Sequence, residues 1–318
     1  VRDTVDVPPI DRADLAARTR RLRRRRRSLQ AAAAGAALAA VVGAFAVPGL
    51  VEQHDSVVAT VVPDDGVPVV LDEQIQLVQA NGTPVPTGHV GTPVGVVDGQ
   101  LVWWGDGVLS GPGDVRTDGV RAAFATETGV TYQVDDGTIH DAAGGEPVGS
   151  DGELVAAGAD VFVTQQDGDL TLHGDDGPRE LEIGSDGSSA AVTAVEAGAG
   201  TVVVAAGNVV SFFDSDGART GGFLGGVTGA LSPDGVSYAY APSRSERAQG
   251  MRPGLALYDI ASGTTERVQI NGAAVDLAWT GDALVVLTEQ GGSRTLTQCH
   301  ETACRVLLTD PTGTLALR

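Results

Sequence analysis

Cys299 and Cys304 are the two cysteines of the 318-residue chain, separated by His300, Glu301, Thr302 and Ala303 in the stretch TQCHETACRV. Two thiols and an imidazole this close fit three chemistries: metal ligation, a redox-active dithiol, or a disulfide. A zinc site takes four ligands and only His300 stands beside the pair, which disfavours the metal. The choice between the other two depends on the compartment the segment occupies.

Other reactive side chains are dispersed. The five histidines (His54, His89, His140, His173, His300) occur singly in what read as turns and linkers, without a spacing that brings two imidazoles to one metal. GVSYA (235–239) approaches the Gly-x-Ser-x-Gly nucleophile elbow, but Ser237 falls inside a strand pattern, where an elbow needs a strand-to-helix turn. DSDG (214–217), GDDG (174–177) and VDDG (134–137) bunch carboxylates as a hard cation requires. None has the Asp-x-Asp-x-Asp-Gly spacing with a later Glu, so they read as hairpin turns. Glu127, Asp135, Asp136 and Glu153 are the carboxylates an acid–base mechanism across a central cavity would draw on, and nothing in the sequence brings two of them together. The chain therefore reads as non-catalytic, with no cofactor or metal.

Binding surfaces are better marked. APSRSERAQGMRPG (241–254) is a long insertion carrying Arg244, Arg247 and Arg252 in an otherwise acidic region, a candidate contact for an anionic partner. VWWG (102–105) places Trp103 and Trp104 on opposite faces of one strand. One indole is expected in the core, and Trp104 is the candidate for a rim or pocket that touches a partner.

The elements that must position these residues are short strands. The chain is 42% hydrophobic but rich in Gly, poor in aromatics and full of Asp-Gly pairs, which favours strands and tight turns. From about Val67 one phrase repeats: strand, Gly- or Asp-containing turn, second strand, turn. The second strands begin near Gln74, Gly107, Gly137, Gly168, Gly207, Gly254 and Ser293, at intervals of about 30 to 47 residues, the period of propeller blades. A four-stranded blade cannot bury both faces alone, so blades stack around an axis. About seven blades, with six to eight compatible, are expected in one all-β propeller over 67–318, closed by pairing between a strand near Val67 and the final GTLALR.

LSPDGVSYAYA followed by LALYDIASGTTERV resembles the blades of WD40-like and TolB-like propellers, whose pattern is Ser-Pro-Asp-Gly, a strand, a gap, then Leu-x-Leu-x-Asp-x-x-Thr/Ser-Gly. Pro233 and Gly235 suit the turn before the strand, and Asp259 and Gly263 close the outer hairpin. LAWTGDALVVL is a near copy without the Pro.

The N-terminus carries the compartment signal. The net charge of −20 splits into +6 over residues 1–51 and −26 over 52–318. All 21 basic residues are Arg, and eight lie between Arg18 and Arg27. An uncharged run over 28–51 follows, long enough for a bilayer-spanning helix. Arg20, Arg21, Arg23, Arg24, Arg25, Arg26 and Arg27 beside it keep the leader, 1–27, in the cytoplasm. The expectation is a bacterial single-pass protein embedded in the lipid bilayer through 28–51, with a linker or an opening strand at 52–66 and an extracytoplasmic propeller. AFAV (44–47) offers the alternative of a cleaved signal peptide, which leaves the compartment unchanged. An acidic external domain disfavours nucleic acid as a partner. The leader also resembles those of bacterial single-pass proteins encoded beside extracytoplasmic-function sigma factors, but no Cys or His precedes His54, so the zinc-binding His-x3-Cys-x2-Cys motif of many anti-sigma factors is missing.

Three functions follow as expectations. The foremost is a non-catalytic module that binds an envelope protein or small ligand at a propeller face. The others are an envelope hydrolase or lyase using the central cavity, and a transmembrane regulator linked to a sigma factor. Outside the cytoplasm a disulfide persists. Cys299 and Cys304 are expected to face each other across a hairpin with HETA as its four-residue loop, Cα atoms about 4.5–5.5 Å apart.

Overall fold

The computed structural model describes residues 60–63, 66–111, 116–141, 146–183, 191–225, 228–242 and 254–317. The leader, the apolar run 28–51 and most of the linker lie outside them. Among the described residues no helix is long and apolar enough to cross a membrane.

Two-residue turns set the pattern. Asp98–Gly99 is one of several pairs in which both residues take positive φ, here 50° and 71°. That is the twist a tight hairpin needs, and Asp and Gly tolerate it. The resulting antiparallel sheets follow one another along the chain. Blade 1 holds β1 (Val67–Leu71), β2 (Gln74–Val78) and β3 (Pro84–Val90). Blade 2 holds β4 (Thr92–Val97), β5 (Gln100–Gly105), β6 (Val108–Ser110) and β7 (Arg116–Thr117). Blade 3 holds β8 (Val120–Ala125), β9 (Val130–Val134), β10 (Thr138–His140) and β11 (Val148–Gly149). Blade 4 holds β12 (Glu153–Ala157), β13 (Phe162–Gln166), β14 (Asp169–Gly174) and β15 (Gly177–Glu180). Blade 5 holds β16 (Val192–Gly198), β17 (Thr201–Ala206), β18 (Val209–Asp214) and β19 (Arg219–Leu224). Blade 6 holds β20 (Gly229–Leu231), β21 (Ser237–Tyr240), β22 (Leu255–Asp259) and β23 (Thr264–Val268). Blade 7 holds β24 (Ala273–Thr280), β25 (Ala283–Gln290), β26 (Ser293–His300) and β27 (Ala303–Asp310). The starts read from the sequence as second strands mark, to within two residues, the third strand of blades 2 to 7 and β2 of blade 1.

The three strands of blade 1 gain a fourth at the chain's end, where Ala316 bridges Val70. The fold is a seven-bladed β-propeller, and its closure joins the two segments that the sequence pairs.

Hydrophobic side chains fill every seam between neighbouring blades. Val203, Val210 and Phe212 of blade 5 pack on Leu231, Tyr238 and Tyr240 of blade 6, for example. Middle strands such as β25 (ALVVLTEQ) are buried on both faces and read as continuous apolar runs. Outer strands such as β23 (TTERV) are polar and exposed, which blunts the sheet edge. The first strands carry small residues where the blades converge, and five of them share a bulge. Val94, Arg121, Val155, Thr193 and Val275 are the extra residues, each skipped in the pairing with the second strand.

Candidate interaction surfaces

Strand direction alternates within a blade, so the turns after its first and third strands lie at one end and those after its second and fourth at the other. This arithmetic separates the candidate acid–base carboxylates. Glu127 sits in the β8–β9 turn, whereas Asp135 and Asp136 sit in the β9–β10 turn, about 16 Å away along a five-residue strand. Asp135 is exposed and pairs with Arg121 Nε at 3.0 Å. Asp136 accepts the Thr138 N–H at 2.8 Å, and these Thr138 bonds hold its carboxyl below the ordinary range. Glu153 opens β12 on the exposed surface.

Asp-rich turns are built by their own carboxylates. Asp214 Oδ1 accepts the N–H groups of Asp216 and Ala218 at 3.0 and 2.9 Å. GDDG and DSDG, separate in sequence, meet at the seam of blades 4 and 5. There Asp175, Asp176 and Asp216 border a cavity of about 360 Å³ together with Asp160, above Leu172. Arg179 ties the two turns, donating to Asp216 O at 3.0 Å and pairing with Asp176 at 3.4 Å. Among the described residues no group of three or more His, Cys, Asp or Glu side chains is arranged to hold a metal ion.

Ser237 lies within β21, its N–H donating to Ser232 Oγ at 2.9 Å. The SPDG turn it follows is closed by the Gly235 N–H donating to Ser232 O at 2.8 Å. Ser232 Oγ donates to Asp234 Oδ1 at 2.6 Å. The same turn docks on blade 5, where the Ala199 N–H donates to Pro233 O at 2.9 Å and Thr201 Oγ1 donates to Gly235 O at 3.0 Å. What reads as a local turn signal is also a contact between blades.

The histidines differ from the expectation of turn and linker residues. His89, His140, His173 and His300 lie on strands β3, β10, β14 and β26, and His54 lies outside the described residues. His140 stacks on its cross-strand neighbour Tyr132 and His173 on Phe162, with ring centroids 4.8 and 4.5 Å apart. Such cross-strand pairs stabilise a sheet. His89 reaches across a seam to stack on Trp103 of blade 2 at 3.8 Å. Burial pushes the pKa of His89 and of His173 down, which favours neutral rings.

Both indoles of VWWG pack between blades. Trp103 is 7% exposed in the seam of blades 1 and 2. Trp104 is half-buried against Val97, Val102, Leu109 and Val120 in the seam of blades 2 and 3. Its Nε1 is buried and has no hydrogen-bond partner among the described residues. Arg244, Arg247 and Arg252 lie outside the described residues. The strands their loop connects, β21 and β22, are paired through Tyr240 and Ala256.

Cys299 and Cys304 form a disulfide with Cα atoms 4.1 Å apart. They are cross-strand partners, and so are His300 and Ala303. The hairpin loop is therefore the two-residue turn Glu301–Thr302, with Glu301 at φ 53°, and not four-residue HETA. Pairing of His300 with Ala303 continues the ladder right up to a tight turn, which leaves His300 exposed at the hairpin tip.

No protein family model matches the chain, and no curated protein sequence matches it. Several solved structures resemble it at low identity. Hsv2 of Kluyveromyces lactis has a TM-score of 0.47 and 10% identity over 78% of this chain and 96% of its own. TolB of Acinetobacter baumannii has a TM-score of 0.44 and 13% identity over 80% of this chain and 64% of its own. The computationally designed Ika8 protein has a TM-score of 0.42 and 15% identity over 79% and 96%. These are likenesses of fold, not of activity.

Proposed function

We propose that this chain is a non-catalytic binding module: an extracytoplasmic propeller, held at a bacterial membrane through residues 28–51, that presents a face to another envelope protein or to a small ligand. The observation that carries this reading is the separation of the carboxylates that an acid–base mechanism on blade 3 would draw on. Glu127 stands at the opposite end of blade 3 from Asp135 and Asp136, and Asp136 and Asp214 serve as acceptors for backbone N–H groups of their own turns. An acid–base pair needs two carboxyls facing one substrate at a short separation. The Cys299–Cys304 disulfide supports the compartment, because such bonds persist outside the cytoplasm.

The test is affinity capture from membranes with the tagged chain as bait, repeated with Arg244, Arg247 and Arg252 all changed to Glu. A partner captured by the parent and lost by the variant supports a binding face at the basic loop. Partners that survive the charge reversal remove the loop from the contact. Turnover of an envelope glycan by the purified chain would overturn the non-catalytic reading.

A further inference from the structure

Residues 60–62 precede the first blade and run along the seam of blades 1 and 2 as an extended segment held by a single β-bridge. Val61 bridges Gln100 in antiparallel fashion. The Val62 N–H donates to Gly99 O at 2.8 Å and the Leu101 N–H donates to Thr60 O at 3.0 Å. β6 ends at Ser110, opposite Trp103, and among the described residues Gln100 and Leu101 of β5 have no neighbour on that side from their own blade. Alternate side chains of the segment are treated differently. Thr60 Oγ1 meets His89 Nε2 at 2.9 Å. Val61 is 72% exposed, and Val62 is 5% exposed among Ile75, Leu77, Leu101 and Trp103.

Main-chain bonds to a sheet edge, with pockets for every second side chain, are how a β-edge captures an extended peptide. Its walls are held by contacts of their own. Trp103 and His89 stack on each other, Thr87 Oγ1 donates to Ile75 O at 2.7 Å, and the His89 N–H donates to Thr87 Oγ1 at 3.1 Å. None of these wall-to-wall contacts involves residues 60–62.

We propose that this seam is a peptide-binding groove for an extended Thr-x-Val segment, and that residues 60–62 occupy it in cis and hold it closed to other chains. The hydroxyl residue is read by His89, the middle residue faces solvent, and a β-branched aliphatic fills the pocket beside Trp103. This deepens the binding-module reading and rests on it, by naming one surface and the partner chemistry it fits.

The experiment uses the 318-residue chain and a fluorescent peptide with the sequence of residues 57–63, VVATVVP. Val62→Asp puts a carboxylate into the apolar pocket and expels the cis segment. Expected results are faster hydrogen exchange at the Leu101 amide in V62D, and peptide binding at least about tenfold tighter than to the parent, since a competing segment scales down apparent affinity by the open fraction. Added peptide should restore protection at Leu101, and V62D combined with His89→Ala should lose the gain. Val62→Gly, which empties the pocket without introducing charge, is the companion variant should V62D misfold. Equal peptide affinity for parent, V62D and V62G overturns the proposal, as does binding that leaves Leu101 exchange unchanged. Failure here with membrane partners still captured removes the groove alone, whereas loss of every captured partner removes the module reading itself.

Discussion

Val70 and Ala316 exchange two backbone hydrogen bonds of 2.9 Å each, so the first blade is completed by the last residues of the chain. On either side of Ala316, Leu315 and Leu317 are 0% and 5% exposed, packed with Val67 and Val69 of blade 1 and Val285 and Leu287 of blade 7. Closure is thus a hydrophobic seam like the others, with the single Val70–Ala316 bridge setting its register. Leu315→Ala should cost about 2–5 kcal/mol in denaturant unfolding, the range for a buried leucine whose site cannot collapse. Leu224→Ala, at a 70% exposed position on β19, should stay within about 0.5 kcal/mol. Equal losses would show that closure contributes nothing special to stability.

Gly235 combines a positive φ of 67° with close approach to the next blade, and a Cβ there would lie 2.4 Å from Ala199 O. Gly281 has a similar φ of 60° with nothing within 4 Å of its Cβ position. Alanine at either site pays the left-handed strain of about 1–2 kcal/mol. Only Gly235→Ala must also push blades 5 and 6 apart, so it should be the more destabilising by a clear margin in thermal unfolding. Indistinguishable melts would mean the SPDG turn does not press on blade 5.

Reduction tests the disulfide. Mass spectrometry of the unreduced chain should find no free thiol. The closed loop is short, and the chain-entropy relation gives about 2 kcal/mol for the Cys299→Ala, Cys304→Ala double variant, less than for a long-range bond. A loss of function without such a shift in stability would point to a redox role instead.

Asp310 is the most heavily bonded carboxylate among the described residues. Burial alone would raise its pKa. Against that, Oδ1 accepts from the N–H and Oγ1 of Thr312, and Oδ2 from the N–H groups of Leu315 and Thr314, and these bonds hold the carboxyl far below the ordinary range. A carboxyl depressed in the folded state adds stability that is complete above its unfolded pKa, near 4, and is lost as pH falls toward the folded value. Asp310→Asn should therefore weaken the chain at neutral pH and flatten its loss of stability below about pH 4. Parallel urea-stability curves for parent and variant across that acid range would refute the assignment.

The legible part of the fold was its turns. Asp98–Gly99, SPDG at 232–235 and Asp259 with Gly263 act over two to five residues, so their chemistry is written locally, and their regular spacing marks the blades. Closure was legible too, because an unpaired strand at each end of a ring has only the other to meet. The cysteine pair was readable for the same local reason, although the strands continue further into its hairpin than their composition shows.

The seams were not legible. Which face of a blade a residue occupies follows strict alternation only while the register is unbroken, and the bulges at Val94, Arg121, Val155, Thr193 and Val275 each shift it by one. His89 therefore meets Trp103, GDDG meets DSDG, and Thr60 meets His89 across distances in sequence that no local pattern spans. By itself the sequence determined that turns recur at the spacing of propeller blades. Which side chains face one another between blades, and that Val62 packs into the seam of blades 1 and 2, was decided by the tertiary structure, because packing depends on register and on neighbours brought in by the ring.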